Sequence, residues 1–284
     1  MNSRKSIVLG ALTLVGIGAA LTSDAQTVLD GAYIKEHTKT QRVVPYPHIR
    51  EADVMWYRRI WRDIDLTEKI NHPLYYPTSP INDRKSLFDV IKQGILDDGS
   101  ITAYDAGVDG WDDEFIKMLL VSQVKDKLIR MDTLTRETLE GEQEQVIQEI
   151  ETKSEDIRRY RLKEDWIFDK QRSSMDIRII GIAPLKANRG DDGEIRGYQP
   201  LFWLYFPELR YVLVNWHVFN RENDAERRSF DHLFWTRQFS STIIKSSNVY
   251  DRNLSEYKTG INGVLEGEEI KASLFEFEHD LWNF

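Results

Sequence analysis

The run RYRLKEDWIFDK, from Arg159 to Lys170, alternates through Tyr160, Leu162, Glu164, Trp166 and Phe168. A period of two is the pattern of a strand with two distinct faces. The turn QRSS follows, then MDIRIIGIAPL, so the two runs read as a β-hairpin. Farther on, YQPLFWLYF and LRYVLVNWHVF flank Pro207-Glu208 and read as a second antiparallel pair. These strands are nearly continuously apolar, which implies burial on both faces or contact with a partner. The glycine-rich ANRGDDGEIRG between the pairs is a loop.

Helical patterns surround the strands. From Val54, at 100° per residue, Trp56, Tyr57, Ile60, Trp61 and Ile64 fall within an arc of about 140°. Arg58, Arg59, Arg62, Asp63 and Asp65 take the opposite arc as a solvated face, and NHPLYYPTSP ends this helix. A second helix, capped by Asn82 or Asp83, runs through RKSLFDVIKQGIL. SITAYD alternates like a strand, and GWDDEFIKMLLVSQVKDKL reads as a third helix capped by Asp112 or Asp113. Residues 131–158 form an acid-rich, solvent-exposed insertion with some helical character. The last helix, NDAERRSFDHLFWTRQFSSTIIKSS, has Asn223 as its cap. Phe230, Leu233 and Phe234 lie on one side of it, and Trp235, Phe239 and Ile243 on the other, so it sits between two layers. Helices, then strands, then a helix imply an α+β fold: an antiparallel sheet packed with helices, in one domain over residues 54–284.

The N-terminus has the layout of a secretory signal peptide. Arg4 and Lys5 precede an apolar run from Ile7 to Leu21, and Ser23 and Ala25 supply a cleavage site before Gln26. The apolar run is shorter than the roughly 20 residues that span a bilayer, and no later segment is apolar enough to do so. Residues 26–53 then read as an extended arm, because Pro45 and Pro47 forbid a helix around Tyr46 and His48. Loss of residues 1–25 removes Arg4, Lys5 and Asp24 from 38 basic and 47 acidic residues, leaving 36 against 46. A net −10 argues against nucleic acid as a partner. The chain has no cysteine, which excludes a lipid-anchored lipoprotein and disulfides alike.

No pattern in the sequence supplies chemistry. The six histidines are scattered singly, and H-E-x-x-H is absent. DAGVDGWDDEFI superficially resembles a calcium loop, but Gly107 and Ile116 occupy positions that need oxygen ligands. G-x-S-x-G, S-x-x-K, P-loop and dinucleotide fingerprints are missing. Asp112, Asp113 and Glu114 read as acids at a helix start. The expectation is a protein without catalytic residues, metal or cofactor.

What the chain has in excess is aromatic residues: 8 Trp, 12 Tyr and 12 Phe in a sequence that is 30% charged. Aromatic residues with arginine anchor protein interfaces. A membrane surface suits the Trp56–Ile64 segment less well, since Asp63 and Asp65 would be repelled by anionic lipid. Glycan binding would use aromatics outside the periodic pattern, namely Tyr75, Tyr76 and Trp111. Protein docking ranks first, with a periplasmic glycan or peptidoglycan as the alternative ligand. The candidate partner-binding residues are Tyr46, Trp56, Tyr57, Trp61, Tyr75, Tyr76, Trp235, Phe239 and Trp282. The extended arm and the segment to residue 80 supply six of them, the two-faced helix two, and the aromatic C-terminus one.

WRDIDLTEKINHPLYYP, QPLFWLYFPELRYVL, FNRENDAERRSFDHLFWTRQFSSTIIKSSNVYDR and the ending EFEHDLWNF together resemble the GldN/PorN family. That family is the N component of the type IX secretion and gliding-motility apparatus. The resemblance implies a non-enzymatic periplasmic subunit that joins a K-type outer-membrane lipoprotein in a ring with further copies of itself. It also implies contact with the periplasmic part of an M-type inner-membrane motor subunit.

Overall fold

The computed structural model describes the backbone of residues 41–81, 84–107, 110–137, 143–189, 194–220, 223 and 225–280, and their side chains except at 130–149 and 189. The expected signal peptide, residues 26–40 of the arm and Trp282 lie outside the described residues. The arm at 41–50 leads through a short 3-10 turn (Glu51–Asp53) into β1 (Val54–Asp65). Helices α1 (His72–Tyr75) and α2 (Leu87–Leu96) follow, then the short β2 (Ala103–Tyr104). Helix α3 (Val121–Leu128) leads into β3 (Ile129–Glu137) and β4 (Gln143–Glu151). The hairpin comes next as β5 (Ile157–Asp169) and β6 (Ser174–Arg189), succeeded by β7 (Ile195–Pro200) and β8 (Trp203–Tyr205). The remainder holds α4 (Phe206–Leu213), β9 (His217–Val218), β10 (Arg228–Ser229) and α5 (Phe230–Trp235). It closes with β11 (Thr242–Ser246), α6 (Leu254–Tyr257) and α7 (Ile261–Asp280).

Seven strands make one antiparallel sheet in the order β11-β1-β5-β6-β8-β2, with β7 also paired to β6. Strands β9–β10 and β3–β4 form two separate ribbons. This is an α+β fold. The hairpin register runs from Asp169 opposite Ser174 to Ile157 opposite Lys186, so strict alternation in the sequence does become the middle of the sheet. On one face Ile64, Tyr160, Leu162 and Ile182 pack with Phe88 and Ile91 of α2 and with Phe206 and Leu209 of α4. The other face carries Trp61, Ala183 and Trp203, and Phe115 from the loop after β2 packs over them. Gly181 makes that cover possible, since a Cβ there would lie 2.6 Å from the Phe115 ring.

Several elements differ from the sequence expectation. Residues 54–65 are a strand, not a helix, and their charges are paired across strands instead of solvated. Arg59 faces Asp165, Asp63 faces Arg161 and Asp65 faces Arg159 along β1 and β5. The expected third helix begins only at Val121, because Phe115, in the left-handed region at φ 58°, packs on the sheet and Met118 bridges to Tyr104 of β2. LRYVLVNWHVF begins inside helix α4, started by Pro207 in its first turn, and only His217 and Val218 of it are strand. The long final helix is in fact α5 alone, capped by Ser229, whose side chain accepts from the His232 N–H. Arg237 at φ 54° ends the turn after it, and Ile243 belongs to β11. Ser86, not Asn82 or Asp83, caps α2. The 131–158 insertion is a β-ribbon for most of its length, and residues 157 and 158 already belong to β5.

Candidate partner-docking surface

The described part of the arm is seated on the domain by Tyr46. Its ring stacks on Trp235 of α5, with centroids 5.2 Å apart and planes 21° from parallel. The Arg210 guanidinium lies 4.5 Å from the Tyr46 ring centre and 5.1 Å from that of Trp235. Arg210 is held there by a buried fork to Asp231, with Nε at 2.7 Å and a terminal nitrogen at 3.2 Å. A paired, planar cation beside the stacked rings makes a rigid seat, and a cation–π contact adds about 0.5–2 kcal/mol. Arg178 on β6 donates to the Pro47 carbonyl and lies 5.3 Å from the same tyrosine ring. Burial pushes the Tyr46 phenol above its ordinary value, against the opposing pull of Arg210. Tyr46, Ile177, Ile179, Phe234, Trp235 and Arg237 surround a cleft of about 240 Å³. That is smaller than the usual small-molecule site of about 300–1,000 Å³.

Phe239 adjoins this seat. Its ring packs on Phe234 at 5.7 Å, and Arg237 lies 5.3 Å from it while bonding both oxygens of the buried Glu164 at 2.8 and 3.0 Å. Tyr46, far in sequence from Trp235 and Phe239, therefore shares one region of surface with them, and Trp235 is left 45% exposed.

The other candidates go elsewhere. Trp61 is buried, donating its indole N–H to Asp113 beneath the Lys245 ammonium, so its place is in the core. Trp56 packs on Phe277 of α7 at 4.8 Å. Tyr57 is half exposed and donates to Asp165 at 3.0 Å. Burial first, then the Asp165 carboxylate, pushes its phenol up to about 12. Tyr75 and Tyr76 meet edge to face at 4.9 Å, with Arg158 over Tyr75. Trp111 is covered by Arg161 at 4.2 Å.

Sequence reasoning missed an exposed apolar strip at Ile116, Met118 and Leu120, because it assigned those residues to a helix. Read with a period of two they would have stood out. Among the described residues no group of three or more His, Asp or Glu could hold a metal ion, and no helix is long and apolar enough to cross a membrane. The geometry offers aromatic and arginine surfaces suited to protein contact. In comparison with known proteins, a family model described as gliding motility associated protein GldN matches residues 49–283. No curated protein matches the chain.

Proposed function

The chain belongs to the GldN family of gliding-motility proteins, a component of the gliding and type IX secretion machinery, and from that premise we propose that it is a periplasmic ring subunit. In this reading it assembles with a K-type outer-membrane lipoprotein and with further copies of itself, and it meets the periplasmic part of an M-type motor subunit. The family match over 49–283 is the observation that carries the reading. The aromatic seat of the arm supports it, because Trp235 stays half exposed beside Tyr46 and leaves ring surface free for a neighbour. The glycan alternative draws less support: Trp111 and Tyr75 already stack with arginines, leaving Tyr76 as the freer ring.

Co-purification of the mature protein with its K-type lipoprotein, followed by size analysis and electron microscopy, tests the proposal. The expected result is a large ring that is lost when residues 26–53 are deleted. A stable monomer that ignores the lipoprotein would overturn it, and peptidoglycan pull-downs would then take precedence.

A further inference from the structure

The loop after β11 holds its own tip still. The Asn248 side chain donates to the Ser246 and Arg252 carbonyls at 2.9 and 2.8 Å. Its oxygen accepts from the Tyr250 and Arg252 N–H groups at 3.1 and 3.0 Å. Asp251, left-handed at φ 51°, pairs with the buried Lys245 at 2.8 Å. Arg252 lies over the Tyr250 ring, 4.4 Å from its centre. The side chains so presented are apolar: Val249 is 97% exposed and Tyr250 74%. Single exposed apolar side chains are ordinary. A valine and a tyrosine at the tip of a loop fixed from within are a preorganised anchor, which loses little conformational entropy on binding.

A cleft of about 360 Å³ lies at the other end of β11. Just before that strand Ser240 donates to Asn71 at 2.9 Å and accepts from it at 3.0 Å, which brings Ile70 beside Gln238. Buried Val218 and Leu233 line the cleft with Pro73, and Ile70 and Phe219 stand exposed at its mouth. Gln238 belongs to its polar rim. The oxygen of that side chain accepts from Arg228 at 3.1 Å, and its amide nitrogen holds no hydrogen bond among the described residues. An apolar floor under a polar rim is the anatomy of an interface pocket. A tyrosine suits it, with the ring on the floor and the phenol oxygen accepting from Gln238. Charge plays little part: Glu226 offsets Arg228 at the rim, as Lys245 offsets Asp251 in the loop.

We infer that Val249 and Tyr250 of one copy enter the cleft beside Ile70 and Gln238 of the next, as a head-to-tail contact between subunits. The five residues of β11 separate anchor from cleft, and at about 3.3 Å per residue they hold the two about 16 Å apart. A chain therefore cannot fill its own cleft. A second copy is the occupant that the two features select, since they match and cannot meet within one chain. Contact between two different patches is heterologous, so it repeats from copy to copy until the rotation closes, and the closed form is a ring. The inference rests on the reading of this chain as a ring subunit and names the contact that runs around the ring.

The chain has no cysteine, so an introduced pair can report the contact. A variant carrying both Val249→Cys and Ile70→Cys keeps Tyr250 and Gln238. Assembled with the K-type lipoprotein and mildly oxidised, it should give a ladder of covalent multimers of this chain, whereas either substitution alone should stop at a dimer. Tyr250→Ala, at an exposed position, should leave Tm unchanged and raise the protein concentration needed for ring assembly by at least about tenfold. Ile70→Glu, at the mouth of the cleft, should do the same. Parent rings without the ladder, and with both of these variants assembling like the parent, overturn the inference and leave the subunit reading intact. Rings lost in Tyr250→Ala without a ladder in the cysteine variant would also overturn it, by giving the loop to the lipoprotein. A parent that forms no ring ends the subunit reading and this contact with it.

Discussion

Asp63 and Arg161 face each other across β1 and β5 with both side chains only 8% exposed, joined by two hydrogen bonds of 2.9 and 3.2 Å. Removing one member of such a pair strands the other charge out of water, which costs about 3–5 kcal/mol. Asp63→Ala should therefore lower stability by that amount in urea melts. Asp65→Ala breaks a more exposed pair with Arg159 and should cost about 1 kcal/mol or less. Trp61→Ala removes a core side chain and is expected to cost about 3–5 kcal/mol, unfolding the monomer before assembly is affected. Asp105 gives a pH signature. Hydrogen bonds from Lys117 and Lys127 hold its carboxyl down from the ordinary 3.8 to about 2. A depressed acid stabilises the fold above its unfolded pKa, so its contribution is complete above pH 3.8 and is lost as the pH falls through about 2. The stability difference between the parent and Asp105→Asn should accordingly be constant at neutral pH and shrink over that acid window, as followed by circular dichroism.

At the scale of elements, α7 depends on a single missing methyl group. Gly267→Ala would drive a Cβ into the Ile243 carbonyl, a backbone atom that cannot swing aside. The helix must lift from β11, at about 1–3 kcal/mol, and limited proteolysis should then cut α7 first. How far such elements can be read from sequence depends on whether one period excludes the other. The β5–β6 hairpin was legible because its alternation is strict and its turn is short. Strand β1 was not, since Trp56, Ile60 and Ile64 are four residues apart, a spacing that places them on one face of a helix and of a strand alike. Helix α4 was misread for the opposite reason: a short apolar run carries no period that separates a strand from a buried helix. The left-handed backbone at Phe115 and Arg237 has no compositional signal, as neither is glycine. The candidate docking surface was legible only as a set of residue types. Tyr46 and Trp235 could be chosen as aromatics, but their stacking depends on Arg210 and Asp231, from two helices that pack together only in the folded chain.

For the whole molecule, folding and assembly should be separable, and the β3–β4 ribbon offers the test. It is a two-stranded sheet of its own, joined to the body at its base. There Thr152 donates to the Leu128 carbonyl at 2.7 Å, and Lys92 pairs with Glu151. Leu128 before the ribbon and Ile157 after it are core residues. Met131 pairs with Glu149, so residues 132–148 can be replaced by an Asn-Gly turn that keeps this register. No base contact is lost, and a shorter loop changes closure entropy little, so stability should stay within about 1 kcal/mol of the parent in urea melts. The arm seat at Tyr46 lies outside the replaced residues. Ring formation with the K-type lipoprotein should therefore survive the ribbon replacement and fail on deletion of residues 26–53. A ring lost with the ribbon, from a monomer that still folds, would move the principal interface from the aromatic seat to β3–β4.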